Sequence, residues 1–123
     1  MKERATIVCR AAGKFLLVAR DRARWSLPGG TVKRSESSAQ AATRELEEET
    51  TLEVETVRYL FHFGGLSKRH HVFLADFDEA PFPVPQNEIS KCRWFRPGKM
   101  STLATSVPTK EIVALCMKVS LFA

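Results

Sequence analysis

Cysteine is scarce in this chain and tyrosine scarcer. Three cysteines, Cys9, Cys92 and Cys116, are spread over 123 residues, an odd number with no Cys-x-x-Cys pair. That pattern argues against a disulfide framework and a cysteine zinc site, and fits three buried thiols in a reducing cytoplasm. No run approaches the ~20 apolar residues that a membrane-crossing helix needs. The start, Met1-Lys2-Glu3-Arg4, lacks the apolar stretch of a signal peptide, so a cytoplasmic protein with no membrane partner is expected. Repeats and low-complexity linkers are also absent, and residues 1–123 read as a single domain. A chain of this size buries roughly two-thirds of its unfolded surface, enough for one core.

What is present is charge, unevenly placed. The net charge is +5, yet seven of the fourteen acidic residues fall between Glu36 and Glu55, with only Arg44 opposing them. Elsewhere eighteen Lys and Arg face seven Asp and Glu. Within the acidic stretch, Glu45, Glu48 and Glu49 stand at i, i+3 and i+4, one face of a helix, while Glu47 points away. Like charges at that spacing repel by ~0.2–0.5 kcal/mol per pair, and late in a helix the macrodipole also disfavours them. Two readings remain open from the residues alone. One is a solvated acidic face, the usual meaning of a charge run. The other is a set of oxygen ligands for a hard divalent cation, Mg²⁺ or Mn²⁺. An acidic nest in a basic surround would suit a polyphosphate, with metal on one side and Arg or Lys on the other. Nucleic acid is the competing partner for a basic protein. It ranks below a small ligand, because the chain has no RNA-binding aromatic motif, zinc finger or convincing helix-turn-helix.

The same helix carries a narrow small-residue stripe, Ala39, Ala42 and Leu46, which would let its backbone approach a sheet closely. Ser35 or Ser37 can cap its start, with Glu36 in the first turn, and Arg44 can pair with Glu48 one turn on.

From Gly30 to Leu52 the residues resemble the signature of the Nudix hydrolases, Gly-x5-Glu-x7-Arg-Glu-U-x-Glu-Glu-x-Gly-U, where U is a bulky aliphatic residue. Gly30, Glu36, Arg44, Glu45, Leu46, Glu48, Glu49 and Leu52 match eight of the nine specified positions with every spacing intact. Thr51 stands where the signature has its second Gly. A left-handed conformation there would cost β-branched Thr on the order of 1–2 kcal/mol, so a different helix exit or local strain is expected. The resemblance implies an α/β fold of the α+β kind, an α/β/α sandwich with a mixed β-sheet between helices.

It also implies a site. Glu45, Glu48, Glu49 and the Gly29 carbonyl would hold Mg²⁺ or Mn²⁺. Arg44 would orient the glutamates, and Glu36 would support the site or the helix start. A loop glutamate near the position of Glu88 joins the metal site, or helps activate water, in the family's nucleoside triphosphate branch. Glu45 or Glu88 would then take the proton from the attacking water. From the residues themselves, Arg20 and Arg4 can hold a phosphate, with Arg22, Arg24, Lys68 and Arg69 weaker candidates. Phe82, presented by a proline loop, can stack on a base. His70 and His71 point to opposite faces of a strand, so at most one looks into a site. His62, Trp25 and Trp94 read as packing residues.

The remaining pattern gives strands at Ala5–Arg10 and Phe15–Arg20 around a Gly13 turn, a polar loop at Arg22–Ser26, and alternation through Glu53–Phe63. Further strands fall at His71–Phe77 and Lys91–Phe95, an extended loop at Asp78–Asn87, and a second helix at Thr109–Leu121 capped by Thr109 with Ile112, Leu115, Cys116 and Val119 apolar. The resemblance implies a metal-dependent hydrolase acting on a nucleoside diphosphate linked to a further group. The short chain and the Glu88 to Trp94 spacing lean toward nucleoside triphosphates. No Ser-Gln-Pro-Trp run, and no Pro about fifteen residues after Thr51, marks another substrate branch. Two rivals stand beside it: a nucleotide-binding regulatory module without catalysis, and an RNA 5′-end pyrophosphatase using the basic surround as a track. A monomer and a homodimer, with Phe122 among the side chains that could pack either way, are equally compatible with the sequence.

Overall fold

Strand-forming alternation in the first twenty residues folds back on itself at Ala12-Gly13, where both residues take positive φ (49° and 75°). Such a turn matches the twist of the strands it joins, and Gly13 adopts it without strain. The structure, a computed structural model, describes residues 1–121; Phe122 lies outside them. β1 (Lys2–Ala11) and β2 (Lys14–Arg20) form this hairpin. They are followed by β3 (Gly29–Thr31), α1 (Ser38–Thr50), β4 (Arg58–Gly64), β5 (Lys68–Phe77), β6 (Ile89–Phe95), a 3₁₀ turn (Pro97–Thr102) and α2 (Val107–Lys118). The sheet order is β4-β5-β1-β2-β6, and β3 pairs with β1 beside that path. β1 and β5 are parallel from Lys2↔Lys68 to Ala11↔Phe77, whereas the other strand pairs are antiparallel, so the sheet is mixed.

The two-residue period of β1 divides the core. Ala5, Ile7 and Cys9 point to one face and pack with Ala41, Ala42 and Leu46 of α1. Val8 points to the other and packs with Phe15, Leu17, Val72 and Leu74 around Ile112, Val113 and Cys116 of α2. Helices therefore cover both faces of a mixed sheet, the sandwich that the resemblance implies. The expected stripe on α1 is buried through Ala42 and Leu46, joined by Ala41 and Thr50, while Ala39 is only partly covered.

Several expectations shift. The alternation from Glu53 becomes strand only at Arg58. β3 has no hydrophobic alternation to announce it, being two glycines and a threonine. α2 is capped by Ser106, whose Oγ accepts from Thr109 N–H at 3.3 Å, and the Thr109 hydroxyl instead accepts from Leu27 N–H at 3.0 Å. Leu115 and Val119 are 40% and 71% exposed, so Val113 takes the core position beside Ile112 and Cys116. His62 is exposed, with Tyr59 Oη 3.5 Å from its ring. Trp25 and Trp94 do pack, edge-on to Phe95 and Phe77. The three thiols are free, and burial raises all of them, Cys92 and Cys116 to about 11. Among the described residues no helix is long and apolar enough to cross a membrane.

Candidate active site

α1 starts in a capping box. Ser37 Oγ accepts from Gln40 N–H at 3.0 Å, and Gln40 Oε1 accepts from Ser37 N–H at 2.8 Å. Ser37 is thus the cap. Glu36 lies ahead of the helix rather than in its first turn, where it accepts from Lys33 N–H (2.8 Å) and from Nε and Nη2 of Arg44 (2.9 and 2.7 Å). The Arg44 guanidinium, with the Lys33 N–H behind it, holds the Glu36 carboxyl down at about 2. Arg44 also donates to Glu45 Oε1 (2.7 Å) and to the Thr31 carbonyl (3.1 Å), and reaches Glu48 at 3.3 Å. Glu36, and after it Glu45, raise its own pKa further against the opposing effect of burial. One planar guanidinium therefore ties the loop before α1, the β3 backbone and two helix carboxylates together.

The helix ends at Thr51 in the left-handed region (φ 66°, ψ −1°), with its N–H donating to Glu47 O at 2.9 Å. The chain leaves α1 as a glycine would allow, and the Thr carries the strain.

Glu45, Glu48 and Glu49 all line one cleft of ≈ 640 Å³ with Gly29 and Gly30. β3 passes directly under the helix there, and a Cβ at Gly30 would collide with the Glu45 carboxyl group, while one at Gly29 would meet the Ala5 carbonyl. Glu49 Oε1 accepts from Gly29 N–H at 3.0 Å. Burial pushes the Glu49 carboxyl up to about 7 against that hydrogen bond, and the neighbouring Glu45 charge pushes the same way. The side chains do not form a closed cage: among the described residues no three His, Cys, Asp or Glu groups converge on one point. Arg44 holds Glu45 and Glu48 to one side while Glu49 leans on Gly29. The donor set still fits a hard divalent cation, being all oxygen and centred on a half-buried carboxylate with no cationic partner in hydrogen-bond range among the described residues.

That acidic cleft opens into a second one of ≈ 530 Å³, and the two share Arg4, Arg20, Gly29, Glu49 and Ile89. Arg24, Lys68 and His70 add to the second, so carboxylates give way to cations across Gly29. Of the two histidines, His70 is the one that faces this space. It is 7% exposed, Thr6 Oγ1 lies 3.0 Å from its Nδ1, and burial with Arg4 and Lys68 holds its pKa below the usual range. His71, one residue on, turns to the other face and meets Glu3 at 3.0 Å. Glu88 lines the acidic cleft, ion-paired to Arg20 at 2.6 Å across a register shift at Ala19/Arg20 that re-aims the arginine. Phe82 is 87% exposed and lines neither cleft.

Pattern reading missed two groups. Gln86 Nε2 and Asn87 Nδ2 each donate at 2.8 Å, to the carbonyls of Glu47 and Glu48. Thr6 and His70 meet only because β1 and β5 pair in parallel. Neither group has a spacing that would have found it.

The family model described as the NUDIX domain matches residues 1–116. A Streptomyces rubellomurinus protein named CMP-5′-(N-acetyl-N-hydroxy-3-aminopropyl)phosphonate hydrolase is 32% identical over 105 residues, 74% of this chain and 51% of the relative. A provisionally named 8-oxo-dGTP diphosphatase of Bacillus subtilis is 32% identical over 77 residues, 59% of this chain and 49% of that protein. The chain thus spans about half the length of the curated relatives it matches. Among solved structures, one provisionally assigned to the Nudix hydrolases from Chromobacterium violaceum superposes with a TM-score of 0.84 at 29% identity, covering 96% of this chain and 77% of the other.

Proposed function

This chain belongs to the Nudix family, and from that premise we propose that its residues 1–123 act as one cytoplasmic domain that hydrolyses a diphosphate linkage. The substrate is a nucleoside diphosphate derivative, a nucleoside triphosphate or a near relative, and water attacks at phosphorus. One observation carries the reading: three helix carboxylates over Gly29 and Gly30 open directly into a pocket rimmed by Arg4, Arg20, Arg24 and Lys68. Both curated relatives are named for acting on a nucleotide, a CMP-linked phosphonate in one and 8-oxo-dGTP in the other.

Glu45, Glu48, Glu49 and the Gly29 carbonyl would hold Mg²⁺ or Mn²⁺. When bound, such an ion neutralises the diphosphate and makes water more acidic. Arg44 keeps Glu45 and Glu48 on one side of the cleft, and Glu36 keeps Arg44 in place. Arg4 and Arg20 hold phosphate oxygens on the basic side and stabilise the departing one. The proton of the attacking water passes to Glu45 or to Glu88, which lines the acidic cleft and pairs with Arg20, a residue common to both clefts.

The test is release of phosphate, pyrophosphate or nucleoside monophosphate from a panel of nucleoside di- and triphosphate derivatives, with Mg²⁺ or Mn²⁺, for wild type and Glu48→Gln. Turnover that requires metal and falls at least about a hundredfold in the variant supports the hydrolase. No turnover on any substrate, with tight nucleotide binding by both proteins, would instead make it a binding module.

A further inference from the structure

A helix leaves its last carbonyls without intrahelical partners, and α1 has no basic side chain in its last turn to answer them. The proline loop answers them instead. Besides the two carboxamide donors on Glu47 O and Glu48 O, Val84 N–H donates to Thr50 O (2.9 Å) and Gln86 N–H to Glu49 O (3.3 Å). Every carbonyl from Glu47 to Thr50 is therefore held by residues 84–87.

The same loop carries Glu88. Asn87 takes φ 57°, a left-handed conformation that Asn tolerates better than most residues, and Ile89 N–H returns to Gln86 O at 3.1 Å to close the turn. Glu88 sits in that turn with its carboxylate on Arg20. It is fixed from two sides, through Asn87 to the backbone of Glu48 and through its own charge to β2.

We propose that Asn87, supported by Gln86, is a positioning residue for hydrolysis. It bolts the turn bearing Glu88 to the carbonyl of Glu48, so that the loop carboxylate and the helix carboxylates keep one separation. Among the described residues Asn87 is the loop side chain that donates to Glu48, next in sequence to Glu88, and it adds to the bonds that Val84 and Gln86 make to the neighbouring carbonyls. The inference depends on the hydrolytic reading of the same cleft.

The experiment is steady-state kinetics of wild type, Asn87→Gly and Asn87→Asp, each also made in a Glu88→Gln background, on the panel member that wild type turns over best. Gly keeps the left-handed backbone and removes the donor; Asp keeps the shape and turns an oxygen toward the Glu48 carbonyl. In the wild-type background both substitutions should lower kcat by about tenfold to a hundredfold with KM changed by less than about twofold. In the Glu88→Gln background the same changes should alter kcat by less than about twofold, because the group being positioned is gone. Gln86→Ala, which leaves the turn sequence intact, should fold normally and show a smaller kcat loss with the same dependence on Glu88. Equal losses in the two backgrounds would overturn the proposal, because a structural role alone would give them, and so would wild-type kcat in Asn87→Gly. A wild-type protein inactive on every substrate fails the hydrolytic reading before any substitution is made, and takes the proposal with it.

Discussion

Thr51 holds a conformation that a β-branched side chain adopts only under constraint, and the constraint is the end of α1. Its N–H must reach Glu47 O while Leu52 turns back into the core at 8% exposure. Glycine would make the same exit without strain, although it also gains entropy in the unfolded chain. Thr51→Gly should therefore stabilise the protein by about 1 kcal/mol, seen as a melting midpoint some 3–5 °C higher, with turnover preserved. The residue scale is where the sequence was most and least readable. The carboxylate spacing placed Glu45, Glu48 and Glu49 on one face because a helix has a fixed period. The outward, 87% exposed ring of Phe82 was not legible, because nothing in Pro-Phe-Pro says which way the loop turns it. Asn87 was invisible because its partner is a backbone carbonyl thirty-nine residues away in sequence.

At the scale of elements, α1 is useful because it lies close to the sheet. Ala41, Ala42 and Leu46 are fully buried against β1 and its neighbours, and only small side chains let Glu45 and Glu49 come within reach of Gly30 and Gly29. Ala42→Leu should lift the helix, costing about 2–3 kcal/mol by chemical unfolding and lowering turnover together. A variant that lost stability and kept full turnover would show that close approach is not what the site needs. The small-residue stripe was legible from helical periodicity. β3, the strand the helix approaches, was not, because Gly-Gly-Thr carries no alternation and becomes a strand only by borrowing the edge of β1. The cap of α2 was misplaced by three residues for a similar reason: Ser106 and Thr109 are both good caps, and the hydroxyl of Thr109 was already engaged by Leu27.

For the whole molecule, the site sets how stability varies with pH. Without metal, Glu49 titrates at about 7 in the folded protein against an ordinary 4.5. The folded state then binds the extra proton between those values, so stability falls as pH rises through them. Glu36, held near 2, works the other way: its contribution is complete above 4.5 and is lost only as pH falls toward 2. His70, kept below its usual range, costs stability as pH falls through about 6.5. The comparison that isolates Glu49 is wild type against Glu49→Gln in a chelator. The variant should gain on wild type as pH rises from about 5 to about 7.5, by up to about 3 kcal/mol, and a difference independent of pH would remove the buried-charge account. The sandwich was legible from the motif and from alternation in β1, β2 and β5, whereas the neighbour relations that join the two clefts depend on sheet order. The most consequential of these is the parallel pairing of β1 with β5. The central strand is the first to be synthesised, but the partner it pairs with most extensively lies sixty-six residues downstream. Closing so long a loop is slow, and parallel pairing cannot nucleate from a tight turn. The nascent chain must therefore carry β1 unpaired along one edge until residue 77 has been made. During that interval the domain relies on the β1–β2 hairpin and on α1 to shield the strand from intermolecular pairing.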